Sequence, residues 1–249
     1  MILPSKIFKL KILGLKIFNL NILAMVFGKN YQRKCLLKQQ QAPAMQKYLS
    51  KTFANKKDLI EDLDIVSLDI ETTGLNPNKD RIVSIGLVQI EGLGIKLDSC
   101  WHQIINANKN LSAQSVVIHQ ITDDQSETGM SINEAIPKLL ERLSGKVMLV
   151  HNAKVEQGFI NKICQTLYGC DFIIPTIDTQ ALAKRSLDRH DSPYKTNDLR
   201  LFNLRKSFNM QSYKAHNALM DAIATAELFL AMVNKISSNK TARLSEFIL

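Results

Sequence analysis

A chain of 249 residues, 45% of them hydrophobic, is long enough for one sizeable core plus an appendage. It is too apolar to be disordered throughout. The formal charge is +9, but residues 1–57 hold 12 of the 32 basic residues and no acid, leaving 20 basic and 23 acidic residues for the remainder. The basic character therefore belongs to the N-terminal segment. The four cysteines, Cys35, Cys100, Cys164 and Cys170, form no C-x-x-C pair. No His/Cys grouping has zinc spacing, so the sequence reads as a cytoplasmic protein with reduced thiols.

Residues 6–15 (KIFKLKILGL) and 16–25 (KIFNLNILAM) form a near-exact tandem repeat. The period is too short and the copies too few for a solenoid. The apolar runs between Lys and Asn fall short of the roughly 20 residues a membrane span needs, and no small-residue cleavage site follows. A cationic interfacial segment is one reading. The preferred one is a mis-assigned or disordered start over 1–25, with the functional chain beginning near Met25. Residues 29–57 read as a basic tether with apolar positions too sparse for a helix, from which Tyr48, Leu49 and Phe53 could pack on the main domain. A basic arm of this kind suits an anionic partner, nucleic acid or membrane surface; a solvated leader fits the composition equally well.

The main domain is expected over residues 58–240, with 241–249 a C-terminal tail. Residues 65–71 (IVSLDIE) alternate, which predicts a strand with Val66, Leu68 and Ile70 on one face and Ser67, Asp69 and Glu71 on the other. Residues 81–90 and 93–105 predict two further strands in an antiparallel meander. Ser131 and Glu134 form a capping box for a helix that contains Pro137 and ends at Gly145. Val147–Val150 predicts a short buried strand, followed after His151 and Asn152 by a helix to about Tyr168. A fifth strand over 173–178 and helical segments after Asp178 and Asn197 come next. A last helix over Asn217–Val233 carries Leu219, Ile223, Ala226, Leu230 and Val233 as its apolar stripe. Strands first, then alternating helices and strands, predict an α/β fold with a mixed sheet flanked by helices.

Three groups of residues carry chemistry. Asp69 and Glu71, at i and i+2 on a strand, share a face and can reach one hard cation such as Mg2+ or Mn2+, although such a pair alone is often only a solvated face. Glu156, in HNAKVEQGFI (151–160), falls in line with Phe159 and Ile160 on the predicted helix. A carboxylate on a core-facing stripe calls for a partner, and a metal would explain it better than the helix dipole. Asp221, in AHNALMDAIATAELFL (215–230), lies beside the apolar stripe of the last helix, and His216 precedes that helix in a loop.

Together these segments resemble the DEDDh 3′→5′ exonucleases, the superfamily of the epsilon proofreading subunit of bacterial DNA polymerase III, ribonuclease T and oligoribonuclease. SLDIETTGLNPNKDRIVSIGLVQI resembles the first motif, HNAKVEQGFI the second and H-x4-D at His216–Asp221 the third; SVVIHQITDD (115–124) and IDTQALAKR (177–185) resemble intermediate segments. The resemblance covers roughly residues 64–235. It implies a ribonuclease H-like fold with a five-stranded mixed sheet, and 58–240 as the exonuclease domain.

The resemblance further implies that Asp69, Glu71, Glu156 and Asp221 hold two divalent ions, Mg2+ or Mn2+, with His216 as general base, since imidazoles titrate near neutrality. Ile70, Thr72 and Thr73 would seat the terminal nucleotide, with His119 and Asn152 as weaker contacts. The implied substrate is the 3′ end of single-stranded DNA or RNA, DNA favoured, and the product a nucleoside 5′-monophosphate. Glu156 departs from the pattern, which has Asp at that position, and the extra methylene could weaken one metal site. A catalytically weakened nucleic-acid binder and a polymerase accessory protein are the alternative readings. Because only about 16 residues follow Val233, a free-standing nuclease is favoured over a polymerase subunit; homodimerisation stays open.

Overall fold

The computed structural model describes residues 28–106, 121, 123–213, 216–236 and 241–248. Its strands are β1 (Ile65–Thr72), β2 (Ile82–Glu91), β3 (Gly94–Ile104), β4 (Val147–Val150) and β5 (Thr176–Asp178). Its α-helices are α1 (Lys29–Gln39), α2 (Pro43–Ser50), α3 (Asp123–Glu127), α4 (Ile132–Leu143), α5 (Ala153–Tyr168), α6 (Thr179–Arg189), α7 (Leu201–Ser207) and α8 (Ala218–Ile236). The strands form one five-stranded sheet in the order β3-β2-β1-β4-β5. β1 pairs antiparallel with β2 and parallel with β4, so the sheet is mixed, with β1 at its centre. The expected α/β architecture is the observed one. β5 is shorter than the 173–178 expected, because Pro175 has no N–H to give a ladder; its carbonyl still accepts from Met148 N at 2.9 Å.

Alternation along β1 divides the interior. Val66, Leu68 and Ile70 face one core with Met148, Val150, Phe159, Ile160 and the buried side of α4. Ile65 faces a second core with Val147, Leu149, Leu228 and Phe229. Ser131 and Glu134 pair at the start of α4, where the Ser131 hydroxyl donates to the carboxylate at 2.6 Å. Pro137 is accommodated inside that helix, and Gly145 follows its end at φ 77°.

Two expected boundaries are corrected. Residues 29–57 are not a loose tether: they contain α1 and α2, and Met45, Tyr48, Leu49 and Phe53 are fully or almost fully buried in the first core. The Tyr48 hydroxyl donates to the Ile173 carbonyl at 2.7 Å, and its ring stacks on Phe172 at 5.8 Å. The apolar residues are sparse because the segment packs on the domain through a few large side chains, Met45, Tyr48, Leu49 and Phe53, rather than through a continuous stripe. Residues 241–248 likewise dock rather than trail. Leu244 and Phe247 are fully buried, with the Phe247 ring edge-on to Phe229 at 5.6 Å.

The stripe of α8 is also rotated from the expected one. Its buried positions are Ala218, Asp221, Ala222, Ala224, Thr225, Ala226, Leu228, Phe229, Met232 and Val233, whereas Leu219, Ile223 and Leu230 are only partly buried. Small residues win the sheet-facing side because they let the helix lie close. Gly86 completes that fit: a Cβ there would overlap the backbone of Ala218 and Leu219. Gly86→Ala is therefore expected to push α8 off the sheet and lower Tm by several degrees, at about 1–3 kcal/mol for overpacking. Thermal unfolding checks this, and an unchanged Tm would refute the contact.

Among the described residues, no helix is long and apolar enough to cross a membrane.

Candidate active site

Ser67, Asp69 and Glu71 project from the face of β1 that α8 covers. The Ser67 hydroxyl donates to the Ala222 carbonyl at 2.7 Å and ties the two elements together. One residue pair further along, Asp69 stands opposite Gly86. The missing side chain at Gly86 brings the first turn of α8 down beside the acids. Asp221 lies in that first turn and is buried. It is held by the loop before it: the His216 backbone N–H donates to Asp221 Oδ2 at 3.0 Å. His216 itself is exposed and adopts a left-handed φ of 68°, a conformation His tolerates better than most residues. Ligand atoms of Glu71, His216 and Asp221 all lie within 4.8 Å of one another.

Glu156 enters from the opposite layer. It sits in the first turn of α5, almost fully buried, and its Oε2 has no hydrogen-bond partner. The start of α5 is fixed by Asp178 at the end of β5. One carboxylate there accepts from Asn152 N (3.2 Å), Ala153 N (2.8 Å), Gln180 N (2.9 Å) and Ala181 N (3.1 Å), so it caps α5 and α6 together. Asn152, at φ 91°, makes the sharp turn between β4 and α5.

The electrostatics follow from this crowding. Burial, then the charges of Glu156, Glu71 and Asp221, push the Asp69 carboxyl well above the ordinary carboxylate range. Burial, with Asp178 adding repulsion, pushes Glu156 well above it too. Four acids thus converge from three elements, β1, α5 and α8. An orphaned buried carboxylate oxygen beside three other acids is what a hard cation would satisfy. Four carboxylates make a donor set that fits a hard divalent ion such as Mg2+ or Mn2+.

The remaining candidates divide. Ile70, Thr72 and Thr73 lie at the end of β1 beside the acids. Thr72 Oγ1 donates to the Gly74 carbonyl at 2.7 Å, and Thr73 Oγ1 donates to Asp80 at 3.3 Å and accepts from Arg81 N at 3.1 Å, so both hydroxyls also build the β1–β2 turn. Asn152 lies at the mouth of α5, its backbone engaged by Asp178. His119 and most of the 115–124 segment lie outside the described residues.

Sequence reasoning missed Asp178 as an anchor, although an Asp just before a helix is a cap signal. It also missed His102. Gly86 pairs with Asp69 on one side and His102 on the other, so His102 shares the acidic face; burial lowers its imidazole, while Glu71 pulls it up. His151, by contrast, is structural. Its ring nitrogens bond Thr179 Oγ1 (2.7 Å) and the Leu199 carbonyl (3.0 Å), and burial lowers its pKa to about 4, so it stays neutral. A cavity of about 330 Å3 between α6, α7 and the end of α8, lined by Leu187, Phe208, Met232 and Ile236, shares no residue with the acids.

Comparison with known proteins agrees with this geometry. A family model described as Exonuclease, of the RNase T type, matches residues 66–229. The chain is 34% identical over 185 residues to DNA polymerase III PolC-type of Thermotoga maritima, a match covering 74% of this chain and 13% of that one. It is 30% identical over 178 residues to DNA polymerase III subunit epsilon of Buchnera aphidicola, covering 68% of this chain and 70% of that one. The chain thus spans only a small part of the PolC-type relatives it matches. The nuclease domain of 3'hExo, described as a DEDDh family member bound to rAMP, shares the fold with a TM-score of 0.59 at 18% identity, over 72% of this chain and 94% of that one. Exonuclease X, in complex with 5′ overhanging duplex DNA, shares it at 0.56 and 20% identity, over 73% and 98%. The family match spans β1 through most of α8, the stretch that contributes every acid of the cluster, and so this chain belongs to the RNase T-type exonuclease family.

Proposed function

We propose that the chain is a metal-dependent 3′→5′ exonuclease acting on single-stranded 3′ ends, DNA favoured, and releasing nucleoside 5′-monophosphates. The observation that carries this reading is the convergence of Asp69, Glu71, Glu156 and Asp221 around one space, with Glu156 Oε2 buried and unpartnered. These four acids would hold two divalent cations, Mg2+ or Mn2+, which when bound supply Lewis acidity at the scissile phosphate. The chain's own part is positional and acid–base. Thr72, Thr73 and the Ile70 backbone seat the terminal nucleotide at the end of β1, with Asn152, at the start of α5, as a further contact; the sequence-based assignment of His119 to the same role falls outside the described residues. The exposed His216 imidazole takes the proton of the attacking water. The water oxygen bonds to phosphorus, the bond to the 3′-oxygen breaks, and that oxygen takes up a proton. The preference for DNA rests on likeness to two DNA polymerase III proteins, which also makes a polymerase a candidate partner.

The deciding experiment follows degradation of matched 5′-labelled DNA and RNA oligonucleotides with Mg2+ or Mn2+. Stepwise shortening from the 3′ end, faster for DNA, is expected. Internal cuts or loss of the label as a mononucleotide would overturn the reading. Binding without hydrolysis under either metal would instead favour the weakened binder that the longer Glu156 side chain suggests.

A further inference from the structure

The buried guanidinium of Arg205 lies outside the acidic cluster, yet its bonds lead to it. Arg205, on α7, is 1% exposed. It holds α8 through two contacts: Nη1 donates to the Ala224 carbonyl at 2.8 Å and pairs with Glu227 Oε2 at 2.7 Å. It holds the segment after α7 through two more. Nη2 donates to the Gln211 carbonyl at 2.9 Å, and the guanidinium lies over the Tyr213 ring at 4.6 Å. The Tyr213 hydroxyl then donates to Glu227 Oε1 at 2.8 Å, closing the network back onto α8. Glu227 lies six residues after Asp221 on the same helix, and Tyr213 lies three residues before His216.

Such a network is a poor way to gain stability. A buried ion pair offsets its desolvation cost only with good geometry, and apolar replacements are often neutral. Arg205 Nε, buried without a partner, adds to that cost. What the network supplies is direction. A guanidinium's planar fork binds several groups at fixed angles, and here the groups belong to α8 and to the chain running into His216.

We infer that Arg205, with Glu227 and Tyr213, is a positioning clamp that fixes the His216 segment relative to Asp221. The inference rests on the general-base reading of His216. Together with the bond from His216 N to Asp221, the clamp pins this segment to α8 at both ends. Arg205 touches no reacting atom and acts through His216.

The test uses the full chain and Arg205→Met, which keeps the apolar stem and removes the fork. Glu227, whose side chain is 28% exposed, can turn to water in that variant. kcat on a DNA oligonucleotide should fall about tenfold or more, because small misplacements of a reacting group are costly. KM should stay within about twofold. Amide exchange at 211–213 and 216–217 should accelerate while β1 and β2 stay protected. In a His216→Ala background Arg205→Met should cost less than about twofold, since a residue acting through His216 has nothing left to position. Equal fold-losses in both backgrounds, or unchanged exchange over 211–217, would overturn the clamp. Should Arg205→Met fail to fold, Tyr213→Phe removes one hydroxyl and is expected to give the same pattern at smaller size; wild-type exchange and kcat in that variant would overturn the inference. If the wild-type protein releases no mononucleotide, the exonuclease reading fails, while amide exchange still decides the clamp.

Discussion

His216→Ala is expected to lower kcat for 3′-terminal release by about a hundredfold to ten-thousandfold, with oligonucleotide binding and Mn2+ affinity close to wild type. The cluster geometry gives His216 two conceivable roles, because its ring lies within ligand distance of Glu71 and Asp221. The exposed ring favours the base, since a proton acceptor needs access to water, whereas Glu71 and Asp221, the proposed ligands beside it, are buried. Calorimetric Mn2+ titration separates the two. A loss of affinity beyond about tenfold would make His216 a ligand, as removing one typically weakens metal binding on that scale or more. The left-handed backbone at His216 adds a control. Asn tolerates that conformation better than Ala, so His216→Asn keeps the loop while removing the base, and it should be as inactive as His216→Ala.

Glu156→Gln should separate metal binding from folding. A carboxylate raised by burial keeps its proton longer in the folded chain than in the unfolded one. Its contribution to stability is present below the unfolded value and is lost as pH rises through the folded value. The same holds for Asp69. Without metal, the protein should therefore lose stability between mildly acidic and neutral pH, and Glu156→Gln should lose less. The expected gain for the metal-free variant at pH 8 is on the order of 1–3 kcal/mol, the cost of leaving a charged group buried and unpaired. Added Mn2+ should raise Tm in the wild type far more than in Glu156→Gln, and hydrolysis should fall at least a hundredfold in the variant. Thermal unfolding with chelator and with Mn2+, at pH 5 and pH 8, measures all of this. If Gln destabilises the chelated protein at pH 8 and leaves the Mn2+ shift intact, Glu156 is no ligand. Glu156→Asp then addresses length. Activity well above wild type would favour a site weakened by the extra methylene, and equal or lower activity a site built around Glu.

Much of this arrangement is legible in the sequence because it depends on short periods. The alternation of 65–71 gives β1 and its acidic face, and the stripe through Glu156, Phe159 and Ile160 marks the acid on α5 as buried before any partner is known. What escapes depends on contacts between distant segments. The stripe of α8 misleads because hydrophobicity points to Leu219 and Ile223, while the sheet selects alanines opposite Gly86. The docking of Tyr48, Leu49 and Phe53 is legible, but the helices that carry the N-terminal segment and the docking of the tail escape for a similar reason: Met45 and Phe247 bury deeply without a repeating pattern around them. His102 requires the register of β2 against β3, which no local signal provides. The share of Asp178 in two helix caps requires knowing that β5 ends beside β4.

The bond from Ser67 to Ala222 joins residues 155 positions apart, and every pairing of a β1 acid with Asp221 spans a similar distance. The β1–β2–β3 meander closes only short loops and can form early, but the loop that brings α8 onto Gly86 is among the longest in the chain. A partly folded chain would then carry sheet and helix and yet have no active site. During refolding the helical signal should return before nuclease activity, and on a ribosome the hydrolytic function would be withheld until α8 has emerged. Synthesis order itself would keep an immature nuclease harmless.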